Sequence, residues 1–223
     1  MKKEVVFLMA GSVAVIVVVT YIILSLKSQI VTTRRDDGGK SIVELVQELK
    51  TESLQGVEYF NSSAFDSLVA RNDTTSVNRL IKQITEPNRA FLLPLLALRQ
   101  IDSTKYNQVD SVRKVSILVD ALNQAKFFNA WGVPHRYKTQ NPQQRETPAQ
   151  AIIEMGDFAK PYLRPLLQEK RSAPVWGSGE IYDNYNYRVA DFALALILAI
   201  DGDTTELPVT RAGRDSLLLP VVQ

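Results

Sequence analysis

The chain has 223 residues, of which 45% are hydrophobic, and a formal net charge of +2 from 26 basic and 24 acidic side chains. This balance of charge gives no reason to expect a nucleic-acid partner. The lack of cysteine excludes disulfides, thiolate metal sites and lipoprotein processing. No segment has the specificity of a catalytic signature. The sequence therefore indicates the location of the protein more clearly than its function.

Residues 5–26 form an uncharged apolar run behind a short N-terminal tail, residues 1–4. At 1.5 Å per residue a helix of this length reaches about 33 Å, which is enough to cross a hydrocarbon core of about 30 Å. The run is longer than the apolar part of a cleavable signal peptide and lacks an Ala-x-Ala cleavage site. The sequence therefore favours an uncleaved transmembrane anchor, with the lipid bilayer as its partner, over a secretory signal.

The orientation of this anchor depends on few charges. Cations lie on both sides of the run, namely Lys2, Lys3, Lys27, Arg34 and Arg35. The positive-inside rule therefore favours neither orientation clearly, because the two flanks carry similar numbers of cations. A short tail before a long apolar run is typical of a signal anchor. We therefore expect a single-pass protein with its N terminus in the cytosol and its soluble domain on the periplasmic or extracytoplasmic side. Residues 27–40, which contain paired charges and glycines, are predicted to form a flexible linker.

Residues 41–223 are long enough for one domain with a core, and their apolar residues recur with the period of a helix. The domain is therefore predicted to be all-α. Ser41 and Glu44 have the spacing of a capping box, which places the first helix start. Apolar residues of the tail after Asp201, residues 217–222, are expected to dock on the domain. The remaining helices are expected within residues 51–75 and at residues 77–84, 88–101, 111–128, 147–155, 159–170 and 187–200.

The domain contains a weak internal repeat, because residues 77–96 align without a gap with residues 148–167. Each copy is predicted to form a helix, a tight turn and a second helix. In the second helix an aromatic residue, a leucine, a proline and a Leu-Leu pair coincide, with Pro94 matching Pro165. A proline inside a helix removes a backbone hydrogen bond and bends the axis. The alignment therefore predicts the same curved hairpin twice.

The second half contains a turn-and-helix pattern, Gly-x-x-Ala-x-Pro-x-Leu, and a later helix with the pattern Arg-Val-x-Asp-x-Ala. The residues that match are Gly156, Ala159, Pro161, Leu163, Arg188, Asp191 and Ala193. Over residues 148–200 this pattern resembles the HEAT-like helical repeats of bacterial proteins. Such repeats recur about every 40 residues, whereas here the inserts 130–146 and 172–186 separate the helices. The resemblance implies an irregular HEAT-like α-solenoid or helical bundle behind the transmembrane helix. Arg188 and Asp191 are three residues apart on a predicted helix, so they can pair on one face, and the resemblance implies that this pair orders the stack.

Candidates for chemistry are few. His135 is the only histidine and lies in a loop beside proline, so a triad or a metal site with several imidazoles cannot readily be built. Residues 176–180 lack the Gly-x-Ser-x-Gly spacing of a nucleophile elbow. The acidic residues 201–206 lack the ligand pattern of an EF-hand loop and are expected to form a helix-ending turn. We therefore predict no catalytic residue, no cofactor and no metal.

Aromatic residues mark the predicted binding surface in residues 172–187. Trp176, Tyr182, Tyr185 and Tyr187 gather there among glycine, asparagine and aspartate, and Trp131 of the other insert extends the same face if the hairpins stack side by side. Such rings offer contact area with a hydrogen-bonding edge, as interface hot spots do. The same rings can instead pin a long loop against the helices.

These features predict a membrane-anchored, non-enzymatic protein-binding or scaffold module, acting as a subunit or assembly factor of a membrane or envelope complex. Its protein partner would contact the aromatic residues named above. Two alternatives remain at this point. One is a membrane-anchored hydrolase that uses carboxylates such as Glu154, Asp157 or Asp183, and the other is a structural protein that assembles with copies of itself.

Overall fold

The structure is a computed structural model that describes residues 39–55, 61–86, 91–126, 128, 131–132, 147–173, 186–203 and 205–222. Their regular structure is helical, and the β-type pairing found among them is an isolated antiparallel bridge between Ser172 and Arg188. The predicted all-α fold class is therefore confirmed. The first six helices are α1 (Ile42–Gln55), α2 (Ser63–Arg71), α3 (Thr74–Thr85), α4 (Leu92–Ile101), α5 (Ser103–Gln108) and α6 (Ser111–Gln124).

The predicted anchor, residues 5–26, lies outside the described residues, as do residues 27–38 of the predicted linker. In the described ranges, no helix combines the length and the apolar character that a membrane crossing requires. The residues from Lys40 to the C terminus belong to one compact unit.

The predicted capping box is confirmed at the start of α1. The backbone N–H of Ser41 donates to Glu44 Oε2 at 2.7 Å, and the N–H of Glu44 donates to Ser41 Oγ at 3.3 Å. These bonds satisfy two of the donors that a helix start leaves without intrahelical partners. Arg71 at the end of α2 donates from Nη2 to the carbonyl of Lys40 at 2.5 Å. The chain therefore enters the domain at a fixed point.

Helix α4 is the buried centre of the N-terminal half. All its residues from Leu93 to Arg99 are buried, and α1, α2, α3, α5 and α6 pack around it. The helix begins at Leu92, later than the sequence predicts, so Pro94 lies in its first turn. The N–H groups of a first turn have no intrahelical acceptor, so this proline removes no helical hydrogen bond. The predicted bend within a longer helix is therefore wrong.

The C-terminal half contains shorter pieces than the sequence predicts. The single helix expected at residues 159–170 is divided into one α-helix and two 3₁₀ helices. Pro161 and Pro165 each lie within the first two positions of a separate piece, where proline is tolerated. The elements are α7 (Pro148–Glu154), the 3₁₀ helix Gly156–Ala159, α8 (Lys160–Leu163), the 3₁₀ helix Arg164–Gln168, α9 (Val189–Ile200) and α10 (Arg211–Val222).

Helix α9 is the buried centre of this second half. Its residues from Val189 to Ile197 are all buried, and α7, α8, the second 3₁₀ helix and α10 pack against it. The predicted helix-ending turn is present, since Gly202 has a φ of 79° and the N–H of Asp203 donates to the carbonyl of Leu198 at 2.9 Å. Helix α6 packs against α4, α7 and α8, so it joins the two halves.

The C-terminal tail is more ordered than its sequence indicates. Residues 211–222 form helix α10, where the sequence predicts only that apolar residues dock. Leu218 is buried and Leu217 is partly buried against the core, so the docking itself is confirmed at these two residues. A Cβ added at Gly213 would lie 2.6 Å from Cβ of Pro208. Helix α10 therefore packs closely against the segment that precedes it.

Candidate partner-binding site

The two ends of the aromatic insert are held together. The N–H of Ala173 donates to the carbonyl of Tyr187 at 2.9 Å, and Ser172 Oγ donates to Asn186 Oδ1 at 2.9 Å. Residues 174–185, which lie outside the described residues, therefore begin and end at one place. We call this place the loop base; it comprises Arg171, Ser172, Ala173, Asn186 and Tyr187.

The first insert also begins and ends at one place. The N–H of Ala149 donates to the carbonyl of Trp131 at 3.3 Å, across residues 133–146, which lie outside the described residues. The Trp131 ring packs edge-on against Phe192 of α9, with centroids 6.1 Å apart. Phe128 stacks on Phe192 with centroids 4.2 Å apart and an interplanar angle of 19°. Phe192 therefore fixes the start of this insert on α9.

The bases of the two inserts share the same elements. Phe192, which holds Trp131, lies near the N-terminal end of α9, directly after the loop base. Arg171 of the loop base donates from Nη1 to the carbonyl of Ala125 at 2.6 Å and from Nη2 to the carbonyl of Asn123. These carbonyls end α6, the helix that leads into the first insert, and would otherwise lack intrahelical partners. Both inserts therefore start beside the end of α6 and the start of α9.

A buried ionic network lies behind the loop base and joins α9 to α10. The carboxylate of Asp191, which is not exposed, accepts hydrogen bonds from Arg188 Nε at 3.0 Å and from Arg188 Nη2 at 2.6 Å. Arg214 Nε lies 3.0 Å from Asp191 Oδ2, and Arg188 Nη2 lies 2.6 Å from Asp215 Oδ1. The predicted pairing of Arg188 with Asp191 is confirmed. Two aspartates and two arginines thus balance their charges at this junction.

The network also shifts proton affinities. The hydrogen bond to Asp191, followed by that to Asp215, holds the pKa of Arg188 above its ordinary value despite burial. The hydrogen bond from Arg188 holds the pKa of Asp215 below its ordinary value. Both shifts favour the charged forms. The pair formed by Arg188 and Asp215 therefore stays charged at neutral pH.

Arg214 is the residue of this site that sequence reasoning missed. Its guanidinium donates from Nη1 to the carbonyls of Pro208 at 3.1 Å and Val209 at 2.6 Å, and from Nη2 to the carbonyl of Asn186 at 3.0 Å. It also lies over the Tyr187 ring, with Cζ 5.4 Å from the centroid. Arg214 therefore ties the C-terminal helix to the loop base. Its position in a tail without a clear helical period gave no signal of this role.

The predicted partner-binding residues divide into two groups. Trp131 and Tyr187 are each only 4% exposed, so their side chains belong to the core and hold the insert ends. The other predicted contact residues, Trp176, Tyr182 and Tyr185, lie outside the described residues, as does His135.

Two of the three carboxylates of the hydrolase alternative pair with cations. Glu154 Oε2 lies 2.8 Å from Arg99 Nη2, and Asp157 Oδ1 lies 2.6 Å from Lys160 Nζ. Asp183 lies outside the described residues. In the part of the chain that the structure describes, no cluster of three or more His, Cys, Asp or Glu side chains is placed to hold a metal ion.

No protein-family model, no curated protein and no solved structure matches the chain. Its own residues therefore define the candidate site. That site is a buried base, formed by α6, α9 and α10, at which two long inserts begin and end.

Proposed function

We propose that this protein is a membrane-anchored, non-enzymatic protein-binding or scaffold module, a subunit or assembly factor of a membrane or envelope complex. The observation that carries the proposal is the shared base of the two inserts. Trp131 on Phe192 and Arg171 on the end of α6 bring the ends of both inserts to the same part of the domain. Binding loops held by a rigid scaffold are a common way to present a recognition surface.

The chemistry of the second insert suits a protein partner. Trp176, Tyr182 and Tyr185 are large rings with polar edges among glycine, asparagine and aspartate, the residue types on which binding loops depend. The buried ring of Tyr187 and the guanidinium of Arg214 hold the exit of this insert. Fixing the ends lowers the conformational entropy that a loop loses on binding. The contact residues of the proposal are therefore the three rings inside the insert.

The membrane part of the proposal depends on residues 5–26, with residues 27–40 as linker and residues 41–223 as the extracytoplasmic domain. An irregular HEAT-like solenoid or helical bundle is the fold we propose for that domain, in which each half packs several helices around one buried helix, α4 or α9. Helical-repeat folds commonly present extended protein-binding surfaces. The anchor would keep such a surface close to a partner in the same membrane.

Protease accessibility tests the orientation. External protease is expected to digest residues 41–223 in intact spheroplasts, because the domain would face the periplasm. Digestion only after lysis would place the domain in the cytosol. A freely soluble chain that lacks about the first thirty residues would reject the anchor and favour a cleaved signal peptide.

Partner capture tests the binding site. The full-length chain is purified in mild detergent after chemical cross-linking, and the stoichiometry of co-purifying proteins is measured. The double variant W176A/Y182A is expected to lose a stoichiometric partner, whereas the control F158A is expected to keep it, because Phe158 is an exposed aromatic residue outside the inserts. Retention of the partner by the double variant would reject the second insert as the contact site. A turnover that one carboxylate substitution abolishes would favour the hydrolase.

A further inference from the structure

Helix α10 depends on its docking contacts more than the other long helices do. It contains Gly213 and Pro220, and glycine and proline are the residue types with the lowest helix propensity. A helix of 12 residues is marginal in water even with a favourable sequence. Of its described side chains, residues 211–218, Arg214 and Leu218 are buried, whereas most of α9 is buried. We therefore expect α10 to lose its helical order when it leaves the domain.

The charges that α10 contributes to the network behind the loop base cancel. Arg214 brings one positive charge to Asp191, and Asp215 brings one negative charge to Arg188. Without α10, the pair at the start of α9 remains, since Arg188 donates from Nε and Nη2 to the two carboxylate oxygens of Asp191. Removing one partner of a buried ion pair is costly because it leaves an unpaired charge. Release of α10 leaves no such charge at the network.

Asp191 has two arginine partners, and its contact with Arg214 is the less complete one. Arg214 Nε lies 3.0 Å from Asp191 Oδ2, but its N–H has no aligned hydrogen-bond acceptor among the described residues. A buried donor without an acceptor is unfavourable, and water would supply an acceptor on release. Arg188 is hydrogen-bonded to the same carboxylate at 2.6 and 3.0 Å. The network therefore holds Arg188 more firmly than it holds α10.

We propose that α10 is a releasable strap on the loop base. In the docked state Arg214 donates to the carbonyl of Asn186 and lies over the Tyr187 ring. Release of α10 removes both contacts at once, so the hydrogen bond between Ala173 and Tyr187 opens more often. A partner that binds the second insert with its ends fixed would favour the docked state. This regulatory role rests on the proposed function, because the second insert is the proposed contact site.

Amide hydrogen exchange of the full-length chain in mild detergent, without a partner, tests the strap. After correction for intrinsic rates, we expect residues 214–222 to exchange at least about 100-fold faster than residues 193–200 of α9, because a helix that is released locally exchanges without global unfolding. The N–H of Ala173, which donates to the Tyr187 carbonyl, reports on the loop base. Equal exchange of the two helices would show that α10 leaves only when the domain unfolds, and would overturn the proposal.

The variant R214M tests whether α10 and the loop base are coupled. It is expected to raise exchange about 10-fold or more both in residues 214–222 and at Ala173, because it removes the hydrogen bonds of a charged donor. Residues 193–200 are expected to stay within about 2-fold of wild type. Faster exchange in α10 without faster exchange at Ala173 would overturn the proposal, as would an equal increase in residues 193–200.

Two further variants complete the test. R211M is the matched control, because Arg211 is an exposed arginine on the same helix, and it is expected to change neither α10 nor Ala173. D215N is the second variant if R214M does not fold; its half-exposed pair with Arg188 predicts a smaller increase in the same two places. Failure of the partner-binding proposal would leave this exchange pattern unchanged. An uncoupled exchange pattern would reject the strap and leave the proposed contact site in place.

Discussion

Asp191 offers the most direct test of the network behind the loop base. Its buried carboxylate contacts both Arg188 and Arg214, which are 5% and 3% exposed. In D191A, the half-exposed Asp215 would be the remaining carboxylate near Arg188, and Arg214 would keep neutral carbonyls and the Tyr187 ring but no carboxylate. Removing one partner of a buried ion pair costs about 3 to 5 kcal/mol, because the remaining charge stays buried and unpaired. For a domain of this size we expect the unfolding midpoint to fall by about 6 to 20 °C.

The assays are thermal unfolding, which gives the midpoint, and urea unfolding, which gives the free energy of unfolding, both of the full-length chain in detergent and followed by far-UV circular dichroism. The matched control is D157A, because Asp157 also pairs with a cation but its side chain is 89% exposed. An exposed ion pair contributes about 0 to 1 kcal/mol. Each aspartate forms an ion pair, but Asp191 is buried and contacts two arginines, whereas Asp157 is exposed and contacts one lysine. D157A therefore measures how much an exposed ion pair contributes.

A second substitution makes the reasoning stricter. R214M in the D191A background is expected to cost less than R214M in wild type, because it removes a buried cation that has already lost its partner. If D191A lowered the free energy of unfolding by less than about 1 kcal/mol, this network would contribute no more than an exposed ion pair does. That result, or strict additivity of the two substitutions, would refute the account of α9 and α10 as joined by shared charge.

Two further predictions concern the ends of the domain. The hydrogen bond from the backbone N–H of Ser41 is the main cause that lowers the pKa of Glu44. The stability that the Glu44 carboxylate contributes is therefore complete above its ordinary pKa of 4.5, and it is lost as the pH falls through the lower pKa of the folded state. E44Q should therefore lose less stability than wild type between about pH 7 and about pH 3, measured by thermal unfolding; equal losses would contradict this. G213A should destabilise despite the better helix propensity of alanine, about 1 kcal/mol, because its Cβ would meet Pro208. A more stable G213A would show that Pro208 moves aside freely.

Local features were predictable from the sequence because their partners lie within one turn of helix. The capping box of Ser41 and Glu44, the turn after α9 and the pairing of Arg188 with Asp191 all depend on residues three to five positions apart. The side-chain spacing of a helix alone brings such residues together. The all-α class followed for the same reason, since helical periodicity records which face is buried.

Features that depend on tertiary contacts were missed. Helix α5 has six residues and one buried side chain, Tyr106, so it shows no period. The contacts of Arg214 with Asn186 span 28 positions of the chain, which no local pattern reports. The prolines were misinterpreted because their effect depends on where a helix starts. The alignment of Pro94 with Pro165 gave their positions relative to each other, but not relative to the helix ends.

The aromatic residues were the hardest to assign, because a ring that binds a partner and a ring that holds a loop have the same sequence signature. Position within the insert separates them: Trp131 and Tyr187 lie at insert ends and are buried, whereas Trp176 lies inside the insert. W131A should therefore lower the free energy of unfolding by about 3 to 5 kcal/mol and weaken partner capture as well. W176A should weaken capture while the unfolding midpoint stays within the error of wild type. Equal destabilisation by both variants would show that Trp176 also holds the fold, and the proposed contact surface would then have to lie elsewhere.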